Sequence, residues 1–270
     1  MVSLFFFSPE YGYEIGGVIP NAYDVSLRCP IETIGVVGTK YLYWFSLNHT
    51  IKEGVHRRVT YLPRGNPFGL TIHRSNRNFP KSNWTMPDYK TFYRRDDVHF
   101  DKPLCIIFNK YTPEKHIGGP KNFIPIPILR NLLDYLTPKY HVVYVRLERK
   151  EILQMDDLSI TKDFPDKETL RSEYPGKVVI LDDLIQDLDA DSVNLMIFSL
   201  GALCKHFLSI QGATSQVASF FGGNNVLLSK GRVSEHAHGD YGYYWRYANT
   251  TVTLVRNETR ILDRLKENGY

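Results

Sequence analysis

The residues from His206 to Ser229, HFLSIQGATSQVASFFGGNNVLLS, restrict what this chain can fold into more than any other stretch. Phe207, Leu208 and Ile210 form an apolar run of the length expected for a buried parallel strand. The run stops at Gln211-Gly212-Ala213, and Thr214 or Ser215 is placed to cap a short helix with Val217, Ala218 and Phe221 on its inner side. Gly222-Gly223 closes that helix in left-handed conformation, and Asn225 to Leu228 reads as the next strand. A strand, glycine turn, helix and strand in so short a span predict an α/β fold with parallel strands. The same turn aims backbone N–H groups and the positive end of a helix dipole at one spot beyond a strand's carboxyl end, a setting for a phosphate. An ordinary βαβ turn, its hydroxyl serving only as a cap, fits these residues too.

A chain of 270 residues, 43% hydrophobic and 13% aromatic, can bury one large core or two of ordinary size. Its 33 basic and 29 acidic side chains leave a net charge of +4, which suits an anionic small molecule as well as a nucleic acid. Cys29, Cys105 and Cys204 lie far apart beside apolar residues and read as reduced core positions. The opening MVSLFFFSPE lacks a basic n-region, and no later run approaches the ~18 apolar residues of a span, so the expectation is a cytoplasmic protein without a membrane helix.

In chain order, Leu4 to Ser8 reads as a first strand, followed by a loop and a helix with Ile15, Val18, Ile19, Ala22 and Tyr23 on one face. Glu10, Tyr11, Tyr13 and Glu14 then lie near a strand's carboxyl end, where α/β folds hold ligands, although Glu14 can equally act as a favourable charge at a helix start. Ile34 to Val37 and Tyr41 to Phe45 read as further strands. From Asn48 to Asp101 four prolines interrupt any pattern, and basic residues gather at His56-Arg57-Arg58 and Arg94-Arg95 without a helical stripe.

Regular structure resumes with LCIIF at Leu104 to Phe108, which ends in Asn109-Lys110-Tyr111 and a loop holding Gly118-Gly119-Pro120. Ile128, Leu129, Leu132, Leu133 and Leu136 form the face of a helix that Pro138 ends, and the strand Val142 to Val145 delivers Arg146. Lys110 and Arg146 at strand ends make a cationic setting for a diphosphate. Asp182-Asp183 after the strand KVVIL can accept from a base edge or a ribose, or can cap the next helix. His236 and His238 are two residues apart with no third ligand nearby, and Asp187, Asp189 and Asp191 sit at a helix start, so no metal site is predicted.

FNKY at Phe108, GGPKNFIPI at Gly118, ILDDL at Ile180 and SIQGATSQVASFFGGNNVLL at Ser209 together resemble the nucleotide-sugar-binding half of glycosyltransferases with two Rossmann-like domains, the GT-B architecture. They are most similar to a group of small glycosyltransferases of microbial polysaccharide loci and large algal viruses. GYEIGGVIPNAYDVS and VGTKYLYWFSLNH extend the likeness to the N-terminal half. The group commonly has a second glycine where this chain has Ala213.

The resemblance implies an acceptor-side domain over residues 1–100, with the long irregular loop, and a nucleotide-sugar-binding domain over 101–270, with a cleft between them and the last helix packing back onto the first domain. Donor binding would fall to Asn109, Lys110, Gly118, Gly119, Arg146, Asp182, Asp183, Gln211, Gly212, Ala213, Thr214 and Ser215. No cofactor or metal is implied beyond the nucleotide sugar itself, because helix dipole, backbone N–H groups and cations can stabilise the leaving diphosphate. UDP is favoured as the nucleotide, with GDP next. Glu14 is the candidate catalytic base, beside Gly16-Gly17, with Glu10 and His49 as alternatives. The competing functions are a sugar-nucleotide epimerase or hydrolase on the same fold, and a nucleic-acid-binding protein using the basic segment. The leading expectation is a sugar transferase with a glycan acceptor, no nucleic-acid partner and no membrane span.

Overall fold

The computed structural model describes residues 3–6, 11–52, 84–111, 120, 122–147, 164–230 and 245–270. Within them the strands form two parallel sheets. β1 (Ser3–Phe6), β2 (Ile31–Gly35) and β3 (Asn48–Ile51) make the smaller, in the order β1-β2-β3. β4 (Leu104–Phe108), β5 (His141–Val145), β6 (Val178–Ile180), β7 (His206–Ile210), β8 (Asn224–Leu228) and β9 (Thr251–Val255) make the larger, in the order β6-β5-β4-β7-β8-β9. Every residue of β4 is buried, as expected of a central strand covered on both faces.

Alternation along these strands divides the core in two. Cys105, Ile107, Val142, Tyr144, Leu208, Ile210, Val226 and Leu228 face the helices Ile126–Leu136 and Ile261–Glu267. The Ile126–Leu136 helix contributes Leu129, Leu132, Leu133 and Leu136, one apolar stripe behind the starting prolines. Ile106, Phe108, Val143, Val145, Phe207 and Leu227 face the opposite way, into a core that continues through the helix Ala190–Leu203 to Ile15, Ile19, Ile31 and Leu42 of the N-terminal half.

Contacts from the helices Tyr89–Tyr93 and Ala190–Leu203 help to hold the halves together. Tyr89, in the helix Tyr89–Tyr93, is fully buried; its ring stacks on Phe220 at 4.6 Å and its hydroxyl donates to the Leu42 carbonyl at 2.6 Å. On the Ala190–Leu203 helix, the Asn194 amide donates to the Gly38 carbonyl at 2.7 Å and the Asp191 carboxylate accepts from the Lys40 N–H at 3.2 Å.

Two expectations are corrected. Tyr41 to Phe45 is not a strand: Lys40–Tyr43 is a 3-10 turn, and the strand comes later, at Asn48–Ile51. A short apolar run buries equally well in either backbone, and here Leu42 and Tyr43 are buried from a turn. The last helix does not return to the first half. It packs on β8, β9 and the Ile126–Leu136 helix, and the Tyr270 hydroxyl anchors it, accepting from the Phe207 N–H at 3.1 Å and sharing its one hydrogen between the main-chain carbonyls of Asn224 and Phe207 at 2.8 and 2.9 Å.

Candidate functional site

In the larger sheet the chain winds outward from β4 through β5 to β6, then crosses back to β7 and winds the other way. The point of reversal lies between the carboxyl ends of β4 and β7, the crevice where open α/β sheets hold ligands. Lys110 follows β4 and Gly212 follows β7. A Cβ placed on Gly212 would stand 3.3 Å from the Lys110 Nζ, so the ammonium lies directly over the glycine backbone. Gly212 has φ 138° and ψ −171°, a conformation open essentially to glycine alone, and from it the chain enters the helix Ala213–Ser219.

Gly212 itself is therefore the first flanking residue of that helix, and neither Thr214 nor Ser215 caps it. Ser215 is buried, its hydroxyl donating to the Gly212 carbonyl at 2.6 Å, whereas Ala213 and Thr214 keep partial exposure. The Ser215 side chain stabilises the turn from inside. Gln211 is likewise buried: its amide oxygen accepts from the Ser229 hydroxyl and, at 3.4 Å, from the Asn122 amide. Asn122 in turn accepts from the Lys230 N–H at 2.8 Å, so three loops are bracketed around the crevice.

Asn109 also works as a brace. Its side-chain oxygen accepts from the N–H groups of Lys110 and Ile124 at 2.9 and 3.0 Å, and its amide donates to the Tyr144 hydroxyl at 2.8 Å. That arrangement fixes where Lys110 leaves the strand. Arg146 lies at the end of β5 but points into a buried ion pair, its Nε and Nη2 donating to the Asp166 carboxylate at 2.7 and 2.6 Å, with Tyr144 donating to the same carboxylate. Lys167, the next residue, is paired with Asp182, and Arg171 with Asp183 at 2.6 Å.

The structure thus brings Lys110, Gln211, Gly212, Ala213 and Thr214 to one crevice. Asp182 and Asp183 stand at the end of β6, an edge strand two places from β4, each against a cation of the helix Asp166–Glu173. Gly118, Gly119, Glu10, Arg57, Arg58, His236 and His238 lie outside the described residues. Arg94 and Arg95 form exposed pairs with Asp96 and Asp97 at 2.6 and 2.8 Å.

Across the crevice stands the start of the N-terminal helix. The short helix Tyr11–Tyr13 runs into a π-helical stretch, Glu14–Val18, before the α-helix Ile19–Ser26, and this entry packs on the Ala213–Ser219 helix. Wide turns of this kind occur often at functional positions. Gly12 faces the Gln216 amide, a Cβ there meeting its Nε2 at 3.6 Å, and the buried Gln216 Oε1 has no hydrogen bond among the described residues. Glu14 has no exposed surface and accepts from the Tyr43 hydroxyl at 2.6 Å.

The Tyr43 ring stacks on His49 at 4.8 Å. Thr39 donates its only hydroxyl hydrogen to the Val36 carbonyl at 2.6 Å, so at 2.9 Å it must accept from His49 Nε2–H. His49 Nδ1 then accepts from Thr33 at 2.7 Å. The ring is held neutral, and burial pulls its pKa down to about 4. The unfolded chain takes that proton near pH 6.5, the folded one only near 4, so stability contributed by the neutral ring is complete above 6.5 and is lost as pH falls toward 4. Wild-type protein is expected to lose ~1–3 kcal/mol more than His49→Gln between pH 6.5 and pH 4 in denaturant titrations. Parallel slopes for the two proteins would show that His49 does not resist protonation.

Sequence reasoning missed Asp166, Asn122 and Tyr43, each of which acts through a partner far along the chain. It also missed three aromatic rings at this end of the sheet: Tyr111 and Phe164 stack at 4.4 Å and 10°, with Phe123 edge-on to both. Among the described residues no group of three or more His, Cys, Asp or Glu side chains could hold a metal ion, and no helix is long and apolar enough to cross a membrane.

Two α/β units with parallel sheets, meeting across a crevice at the carboxyl end of a six-stranded sheet, define the GT-B class of fold, two Rossmann-like domains with a cleft between them. Among solved structures, the chain is similar to E. coli ADP-heptose LPS heptosyltransferase II, with TM-score 0.57 and 12% identity over 99% of this chain and 98% of that one. It is also similar to the E. coli heptosyltransferase WaaC with ADP, with TM-score 0.51 and 9% identity over the whole of both chains. No protein-family model and no curated protein matches the chain.

Proposed function

We propose that the protein is a glycosyltransferase that moves one sugar from a nucleoside diphosphate sugar to a glycan acceptor. The observation that carries this reading is the meeting of the Lys110 ammonium and the Gly212 backbone at the reversal point of the sheet, within a GT-B fold. A cation, a glycine that lets a ligand approach and partly exposed Ala213 and Thr214 make a seat for a diphosphate, and the same charges would stabilise it as it leaves. Residues 1–100 supply the acceptor side and 101–270 the donor side. Glu14 is proposed to take the acceptor's proton once the Tyr11–Tyr13 helix parts from the Ala213–Ser219 helix, since in the closed arrangement the carboxylate is sealed. The reaction is proposed to need no metal and to run in the cytoplasm.

UDP remains the favoured nucleotide and GDP the next, and the heptosyltransferase neighbour solved with ADP adds ADP to the set. A thermal-shift panel of UDP-, GDP- and ADP-sugars, with and without EDTA, tests the proposal, because a donor at 100 times its Kd stabilises by about 2.7 kcal/mol. No stabilisation by any nucleotide sugar or nucleoside diphosphate would sink it, and turnover lost in EDTA and restored by manganese would overturn metal independence. Product analysis with and without acceptor separates transfer from epimerisation or hydrolysis. Lys110→Met, which keeps the aliphatic stem, is expected to weaken nucleoside diphosphate binding by ~1.5–3 kcal/mol in calorimetry. Wild-type affinity in that variant would remove the diphosphate from this crevice.

A further inference from the structure

The three rings beside the crevice do not complete a core. Tyr111 and Phe123 come from the connection between β4 and the Ile126–Leu136 helix and Phe164 from the approach to the helix Asp166–Glu173, and each keeps partial exposure where most described aromatic side chains of this half are buried. Their distances give the arrangement. Tyr111 and Phe164 are face to face at 4.4 Å, and Phe123 lies 5.0 Å from one and 5.5 Å from the other. A ring on the outer face of either would be much farther from the second, so Phe123 stands beside the pair. The Arg146 guanidinium lies over Phe164, 5.9 Å from its ring centre. Among the described residues Tyr111 meets only the rings of Phe164, on one face, and Phe123, beside the pair, so no ring or cation covers its outer face.

This stack is braced by hydrogen bonds to its neighbours. Asn109 ties the N–H groups of Lys110 and Ile124 to one side-chain oxygen, which fixes the residues next to Tyr111 and Phe123. Arg146 donates to the Phe164 carbonyl at 3.0 Å and is itself held by Asp166. A preformed aromatic face costs little further ordering when a flat partner lands on it.

We propose that the outer face of Tyr111 is the stacking platform for the base of the donor nucleotide, an assignment that rests on the nucleotide-sugar reading above. Tyr111 directly follows Lys110, whose ammonium marks the diphosphate seat over Gly212. A nucleotide with its phosphates at the reversal point extends its base over the strands on one side of it, and Tyr111 is at the β4 end of the β4-β5 side. Arg146 and Lys230, whose ammonium lies 5.1 Å over Phe123, are held by Asp166 and by Glu258 at 2.9 Å and brace the rings, while the Lys110 ammonium beside them suits a ligand with one flat apolar part and one anionic part. Stacking accepts any base, so this platform supplies affinity, and choice among bases falls to other groups.

The test compares UDP, ADP and inorganic pyrophosphate by calorimetry on wild type, Tyr111→Ala, Tyr111→Phe and Tyr111→Trp. Base–aromatic stacking is worth enough that Tyr111→Ala should bind UDP and ADP about 5- to 150-fold more weakly, with pyrophosphate changed less than about twofold and Tyr111→Phe close to wild type. In Tyr111→Trp, UDP and ADP should quench emission beyond any change in wild type, and pyrophosphate should not; this readout decides the matter if the alanine variant fails to fold. Unchanged UDP and ADP affinity in Tyr111→Ala, equal losses for pyrophosphate, or no added quenching in Tyr111→Trp would overturn the platform while leaving the donor reading intact. Wild-type protein that binds neither nucleotide would overturn that reading and the platform with it.

Discussion

Glu14→Gln is expected to lower turnover by a factor of about 10²–10⁴ while donor affinity stays within about twofold. In the proposed reaction the acceptor hydroxyl loses a proton as it attacks, and the group proposed to take it is Glu14, at the start of the π-helical stretch that packs on the Ala213–Ser219 helix. Glutamine keeps the shape and can still accept from the Tyr43 hydroxyl that now bonds Glu14 at 2.6 Å, so the packing should survive and the basicity should not. Steady-state kinetics and a melting curve on the same preparation make the comparison. Turnover near normal would take the role from Glu14, and a collapsed melting temperature with it would make the residue structural.

The second large effect is expected at Asp166. Its carboxylate is wholly buried, accepts two hydrogen bonds from the equally buried Arg146 and one from Tyr144, and so joins the end of β5 to the helix Asp166–Glu173. Removing one member of a buried pair strands the other charge in a medium that solvates it poorly, at a cost of about 3–5 kcal/mol. Asp166→Ala should therefore lower Tm by roughly 6–20 °C, taking 2–4 °C per kcal/mol for a chain of this size. Asp166→Leu with Arg146→Met should cost less than the single change, because no charge is left behind. A loss below about 1 kcal/mol in the single variant, by denaturant titration, would show that water reaches the site and the pair matters little.

Much of the fold was legible because its determinants are local. LCIIF, HVVYV and HFLSI are apolar runs of strand length, and a parallel strand covered on both faces needs little else. The prolines before the Ile126–Leu136 helix and the left-handed Gly222-Gly223 after the Ala213–Ser219 helix mark boundaries in the same way. Tyr41 to Phe45 was the exception, since its aromatic residues bury as well from a turn as from a strand.

By itself, then, the sequence determined an α/β chain with parallel strands and placed Lys110 and Gly212 at the carboxyl ends of two of them, because strand, turn and helix propensities act over a few residues. The tertiary structure alone decided what each polar side chain near those ends does. It gave Arg146 to Asp166, Asp182 to Lys167 and the Ser215 hydroxyl to the Gly212 carbonyl, it sealed Glu14 against Tyr43, and it assembled Tyr111, Phe123 and Phe164. The reason is that most of these pairings join residues well apart in the chain: a charge or a ring carries no mark of the partner it will meet, and burial, which makes the partner necessary, exists only after the sheets and helices have packed.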